Sequence, residues 1–205
     1  MSFGQRFARF TTNVVTRVPG AWLLFRRPVA SMFDKLSHEW DATRAAPNRM
    51  QAIRAAFEAI GEPPPARMLD IGTGTGAAAR VAAELWPSAQ VVGVDVSSGM
   101  VEEARRLASS DRERYEVADA AHLPFADGSF DAVSLNNMIP FYDELARVTA
   151  PGGHVAIAFS LGARTPIYVP PERVTAELER RGFTHVASFT QDPGVSLLAK
   201  KGDRS

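Results

Sequence analysis

One nine-residue stretch constrains this 205-residue chain more than any other: Met68-Leu69-Asp70-Ile71-Gly72-Thr73-Gly74-Thr75-Gly76. An apolar run carries an acid, three glycines alternate, and Ala77-Ala78-Ala79-Arg80 follows with helix-forming residues. The pattern predicts a buried strand, a tight turn and a helix N-terminus. Glycine suits a backbone that must take unusual torsions or let a ligand come close. Such a turn forms a nucleotide site at the carboxyl end of a parallel sheet.

Two nucleotide readings compete. Gly72, Gly74 and Ala77 also satisfy the loose dinucleotide pattern G-x-G-x-x-G/A. A dinucleotide would place its pyrophosphate on the helix N-terminus, where the dipole favours an anion. Asp70 argues against that, because its carboxylate repels a pyrophosphate and suits an ammonium or sulfonium group.

The length predicts one domain with a small appendage. Formal net charge is zero, so the whole chain has no global pull toward nucleic acid. The charge is nevertheless unevenly placed. Residues 1–33 hold Arg6, Arg9, Arg17, Arg26 and Arg27 and no acid, which leaves the rest with five more acids than bases. Cysteine is absent, removing disulfides, thiolate chemistry and cysteine-metal sites, and no metal site is read from the remaining residues. No apolar run reaches the roughly 18 residues of a membrane span.

Phe3, Phe7, Phe10 and Val14 mark one face of an N-terminal helix, broken at Pro19-Gly20. Three readings stay open for it: a cap on the main domain, a peripheral membrane contact through residues 1–20, or an organelle transit peptide. Met50, Ile53, Phe57 and Ile60 mark another helical stripe that ends at Gly61. The expected organisation is a helical cap or lid over 1–60, a Pro-rich linker over 61–66 and a cofactor-binding domain over 66–205. From residue 66, strand-like and helix-like segments alternate, the pattern of a parallel sheet with helices on both faces. Strands are expected near 67–71, 90–95, 115–118, 131–135 and 155–159, with Pro151-Gly152-Gly153 turning into the last of these. A closing hairpin is expected over 184–200, with Asp192-Pro193-Gly194 as a type II turn.

Asp70, Asp95 and Asp119 fall at or just past the ends of three successive strands, so a parallel sheet brings them into one crevice. Asp95 lies 19 residues after Gly76, a spacing at which a carboxylate accepts both ribose hydroxyls. Asp119 with the Ala120 amide offers an acceptor and a donor to an adenine edge.

These residues resemble the class I S-adenosylmethionine-dependent methyltransferases. The resemblance rests on Leu69 through Gly76, then on Val92-Gly93-Val94-Asp95-Val96-Ser97 with Met100. It continues through Asp119-Ala120-Ala121-His122-Leu123-Pro124-Phe125-Ala126-Asp127-Gly128-Ser129-Phe130-Asp131, and ends at Glu144-Leu145-Ala146-Arg147-Val148-Thr149-Ala150-Pro151-Gly152-Gly153. It implies an α/β fold: a Rossmann-like, seven-stranded, mostly parallel sheet with an antiparallel last strand. It also implies S-adenosylmethionine as cofactor. Asp70, Gly72 and Gly74 would hold its methionine part, Asp95 the ribose, and Val96 would lie against the adenine, with Gly76 and Met100 also among the cofactor-binding residues. Asp119 and Ala120 would read the adenine edge, and Asn136 would line the methyl side.

The implied reaction is in-line methyl transfer to a small-molecule acceptor, which needs orientation and desolvation more than a base. Candidate bases are His38, His122, Tyr142 and Asp143. Phe33, Trp40, Phe141 and Tyr142 are candidate aromatic faces for a sulfonium. Only seven steps separate Asn137 from Glu144, a short loop for this family. Asn136 to Phe141 does not match the Asn-Pro-Pro-Tyr box of amino-group methylating enzymes, so no nucleic-acid substrate is expected. The alternatives are a non-catalytic cofactor-binding or scaffold subunit and a nicotinamide (NAD)-dependent oxidoreductase. The expected location is cytoplasmic or membrane-peripheral.

Overall fold

The computed structural model describes residues 3–36 and 48–203. Seven strands form one sheet: β1 (Arg67–Ile71), β2 (Gln90–Asp95), β3 (Glu113–Val117), β4 (Phe130–Asn136), β5 (Thr149–Phe159), β6 (Phe183–Gln191) and β7 (Gly194–Lys201). Their spatial order is β3-β2-β1-β4-β5-β7-β6. The first five pair in parallel, and β7 runs antiparallel to both β5 and β6. The helices are α1 (Phe3–Val15), α2 (Trp22–Leu36), α3 (Gln51–Glu58), α4 (Ala77–Leu85), α5 (Ser98–Leu107), α6 (Tyr142–Val148) and α7 (Pro171–Glu179). The expected Rossmann-like α/β class is therefore the observed one.

Strand alternation sorts the core into two layers. Met68, Val91, Ala132, Ala156 and Leu198 face one side, where α3, α4 and α5 pack. Leu69, Val133, Leu135, Val155 and Ile157 face the other, with residues of α6 and α7 and with Val15 and Trp22 from the N-terminal helices. Local signals set the ends of elements. Ser97 caps α5 by accepting the Met100 N–H at 3.1 Å. Asp131 Oδ2 accepts the N–H groups of Ala66 and Arg67, tying the start of β1 to β4.

Three expectations change. Residues 51–58, assigned to the cap by their position before the prolines, pack on the sheet instead. Ile53 and Phe57 are fully buried, the Phe57 ring lies 5.2 Å from that of Trp86, and Ser196 Oγ donates to the Ala52 carbonyl at 2.6 Å. Pro151-Gly152-Gly153 sits within β5, where the β4 register shifts between Phe130 and Ala132. Gln191 pairs with Gly194, so Asp192-Pro193 is the loop, Gly194 belongs to β7, and no type II turn forms. On α1 the fully buried residues, among those described, are Thr11, Thr12 and Val15, while Phe7 and Phe10 turn their rings edge-on to Phe25 of α2 and Phe10 stays exposed.

Truncating Phe57 to Ala is expected to cost about 3–5 kcal/mol of unfolding free energy. Truncating Leu24, which is 76% exposed, is expected to stay within about 0.5 kcal/mol. Urea denaturation of the two variants measures both, and equal losses would remove α3 from the core.

Candidate functional site

The crevice opens at the carboxyl ends of β1 and β4, where strand order reverses. Gly72, Gly74 and Gly76 all take positive φ in the turn after β1. Two of them are also crowded. A Cβ on Gly72 would lie 2.7 Å from the Met138 side chain, and one on Gly76 2.7 Å from the Tyr115 hydroxyl. Glycine thus meets both a torsional and a spatial demand here. The turn is latched to β2 by the Thr73 N–H on the Val94 carbonyl at 2.9 Å.

Asp70 lies beneath this turn and is 1% exposed. One carboxylate oxygen accepts from Thr73 Oγ1 at 2.7 Å and the other from Ser134 Oγ at 2.6 Å. Burial raises its pKa to about 6, against the opposing pull of these two hydroxyls. Asp70 therefore acts as an internal brace between the turn and β4. Nothing in the sequence marks Thr73 and Ser134 as its partners. The register pairs Asp70 with Ser134, information that appears only when β1 and β4 are aligned.

Asp95 Oδ2 accepts the Gly74 N–H and Oδ1 accepts the Ser97 N–H, each at 2.9 Å. Each oxygen keeps a further acceptor position for a ribose hydroxyl. Burial shifts this carboxyl upward in pKa. Asp119 Oδ1 accepts from Trp22 Nε1 at 2.7 Å and from the Ala121 N–H at 3.0 Å. Its Oδ2 is buried and has no hydrogen-bond donor among the described residues, with Arg26 3.6 Å away. A buried acceptor of this kind suits the amino group of an adenine.

α2 crosses this region. Trp22 and Arg26 meet Asp119, and Asp34 Oδ1 accepts from Ser97 Oγ at 2.6 Å and from the Gly99 N–H at 3.1 Å. Asp34 thus places a negative charge on the α5 N-terminus, the favourable end of its dipole. The Trp22 indole meets Phe141 edge-on at 5.4 Å. None of these α2 contacts was legible in the sequence.

A second brace holds the segment after β3. Arg147 donates to the carbonyls of Leu123 and Phe125 and pairs with Asp127 and Glu144, while Glu144 accepts the Leu123 N–H. The Glu144-Leu145-Ala146-Arg147 motif therefore clamps the loop that begins at Asp119-Ala120.

The other expected residues scatter. Val96 is half-buried beside Asp95, and Ala120 is buried beside Asp119. Met100 is fully buried under the first turn of α5, so it supports the crevice from the core. Asn136 ends β4, with Nδ2 on the Met50 sulfur at 3.5 Å and Oδ1 unpartnered among the described residues. Asn137 takes a positive φ and exchanges hydrogen bonds with Ser160, which pins the short loop that follows. Tyr142 has Glu177, Arg173 and Arg181 as its charged neighbours, and Asp143 pairs with Arg181 at 2.8 Å. Asp143 thus ties α6 to the turn after α7, and the Tyr142 hydroxyl is buried with no hydrogen-bond partner among the described residues. His122 is exposed and bridged to Asp119 through its backbone. Phe33 is half-buried on α2, whereas His38 and Trp40 lie outside the described residues.

A profile described as a methyltransferase domain matches residues 69–157. The chain is 35% identical to the malonyl-[acyl-carrier protein] O-methyltransferase of Geobacter sulfurreducens, over 89% of this chain and 72% of that protein. The chain belongs to the S-adenosylmethionine-dependent methyltransferase family. It is also 38% identical to a demethylmenaquinone methyltransferase of Beutenbergia cavernae, over 70% of this chain but only 61% of that protein. A solved S-adenosylmethionine-dependent methyltransferase from Aquifex aeolicus shares the fold, with a TM-score of 0.64, 19% identity, and coverage of 83% of this chain and 97% of that one. Membership removes the nicotinamide oxidoreductase alternative. It makes S-adenosylmethionine the cofactor of the methyltransferase crevice, and the unpartnered Asp119 oxygen and the spare acceptor positions of Asp95 fit its adenosine half.

The raised pKa of Asp70 has a definite sign. The folded state holds the proton more tightly than the unfolded chain, so this stabilisation is full below pH 3.8 and is lost as pH rises through about 6. Asp70→Asn cannot titrate. Between pH 3.8 and pH 6 the wild type should lose up to about 3 kcal/mol relative to this variant, read by urea denaturation across pH. Parallel pH profiles would show that Asp70 does not titrate in the fold.

Proposed function

We propose that this methyltransferase transfers a methyl group to a small, apolar acceptor held between the strand ends and the N-terminal helices. The observation that carries the reading is the gathering of Asp95, Asp119 and the glycine turn at one crevice, with α2 laid against it. When bound, S-adenosylmethionine supplies a methyl group already activated on a sulfonium. Asp95 would accept the ribose hydroxyls and Asp119 the adenine amino group. The turn at Gly72 and Gly74 would seat the methionine part, and Asn136 would orient polar atoms on the methyl side. α2 would exclude water from the closed site, which strengthens every polar contact within it.

Support for an apolar acceptor comes from the residues around this end of the sheet. Trp22, Ile139 and Phe141 are buried together, with Met138 and Phe25 packed against them. An acceptor already unprotonated at its attacking atom needs no general base, whereas a ring carbon must give up its hydrogen as a proton, for which His122, Tyr142 and Asp143 are the described candidates. The named relatives methylate an acyl-carrier-bound malonyl group and a demethylmenaquinone, and the second is the nearer precedent for an apolar ring. A membrane contact through residues 1–20 belongs to the same proposal, because an acceptor of that kind is met at a bilayer. No described helix is long and apolar enough to cross one.

Calorimetric titration is expected to show saturable binding of S-adenosylmethionine to the folded chain. Asp95→Ala should weaken it about thirtyfold or more, since a charge-assisted acceptor of two hydroxyls is lost. Affinity unchanged in a folded variant would move the site elsewhere. Methyl transfer to a demethylated quinone or a malonyl thioester tests the acceptor class, and binding without turnover on any acceptor would favour a non-catalytic subunit.

A further inference from the structure

Among the described residues, the large apolar side chains most open to solvent are Phe10 at 58%, Val18 at 59%, Leu23 at 59%, Leu24 at 76% and Val117 at 54%. All but Val117 belong to the hairpin of α1 and α2. An isolated exposed apolar residue is ordinary, but a group of them on one unit is not. The turn draws them together. The Val18 carbonyl accepts the Ala21 N–H at 3.0 Å, which folds Val18 back against the start of α2, where Leu23 and Leu24 stand. The Phe10 ring meets that of Phe25 on α2, edge-on at 6.2 Å.

The hairpin divides its arginines between two sides. Arg9 donates to the carbonyls of Ala163 and Thr165, and Arg26 lies at Asp119, so these two are directed into the protein. Arg6, Arg17 and Arg27 are exposed. Residues 1–33 contain no acid, although the chain as a whole is neutral. Exposed leucine, valine and phenylalanine beside unopposed arginines fit a surface that is apolar within and anionic at its face. A bilayer containing acidic lipids has both properties.

We propose that the hairpin of α1 and α2 is the surface by which this protein docks on an anionic bilayer. Val18, Leu23 and Leu24 enter the boundary between headgroups and acyl chains, and Arg6, Arg17 and Arg27 meet lipid phosphates. This rests on the reading of an acceptor met at a bilayer and names the surface that meets it, which extends past residue 20 into α2. The inward side of the same hairpin holds Trp22 against Asp119, next in sequence to Leu23. Docking therefore places the hairpin between the cofactor crevice and the lipid, so an apolar acceptor would reach the crevice past the edge of the hairpin.

Co-sedimentation of the full chain with vesicles tests the proposal. Phosphatidylcholine vesicles with about 30% phosphatidylglycerol are compared with pure phosphatidylcholine. The wild type should partition to the anionic vesicles. A Leu23→Asp, Leu24→Asp double variant and an Arg17→Glu, Arg27→Glu double variant should each bind about tenfold or more weakly. All four side chains are exposed, and circular dichroism together with unchanged S-adenosylmethionine titration verifies that each variant is folded. A wild type that stays in the supernatant with anionic vesicles, or variants that bind as well as wild type, overturns the proposal. So does a wild-type dimer that the leucine variant converts to monomer without any vesicle binding, which would assign the patch to a second copy. Failure to bind S-adenosylmethionine with intact vesicle binding would sink the methyltransferase reading and leave the docking surface standing.

Discussion

The buried carboxylate of Asp70 is the contact on which the cofactor crevice depends. An ionised acid removed from water is costly unless its oxygens are satisfied. Here each oxygen takes a hydroxyl, one from Thr73 in the glycine turn and one from Ser134 on the neighbouring strand. The same burial that raises its pKa makes loss of either donor expensive. The turn, β1 and β4 are therefore held as one unit. Glycine torsions alone make the turn permissible, and the acid beneath makes it single-valued. Crowding by Met138 above Gly72 and by Tyr115 beside Gly76 removes the remaining slack.

The second constraint is the helix laid across the strand ends. α2 is anchored by Trp22 and Arg26 on Asp119, and by Asp34 on Ser97 and the α5 N-terminus. The acid that would read an adenine is thus in contact with the helix that would close over it. Cofactor and helix would then share one half-buried carboxylate, which would couple their energetics through a common partner. The same hairpin carries four of the five large apolar side chains most open to solvent among the described residues. An amphipathic hairpin can therefore face a crevice on one side and a lipid surface on the other.

Much of the architecture was legible because its causes are local. Strand and helix periods, the glycine torsions and the Ser97 cap all act within a few residues, and they located the elements to within a few positions. Asp95 and Asp119 were placed in one crevice because parallel strands must end on one side. Other residues have a remote partner that the sequence does not show. Tyr142 and Asp143 are candidate bases by sequence, and the structure pairs Asp143 with Arg181 in the turn after α7 and sets Tyr142 beside Glu177, Arg173 and Arg181. Phe57 looked like part of a lid, yet Trp86 and the sheet face bury it. Glu144 and Arg147 were recognised as a motif without a role, which the loop carbonyls of Leu123 and Phe125 now supply.

The amino-acid sequence by itself determined that this chain builds a parallel sheet with a glycine turn and acids at its strand ends. Those features follow from side-chain alternation and backbone torsion, which neighbouring residues impose on one another. Only the tertiary structure decided which acid is fully buried as an internal brace, and which side of the N-terminal hairpin is buried. Both depend on strand register and on surfaces brought together from distant parts of the chain. Asp70 and Asp95 look alike as acids at strand ends. Pairing β1 with β4 puts Ser134 opposite the fully buried Asp70, while Asp95, less buried, accepts the backbone N–H groups of Gly74 and Ser97.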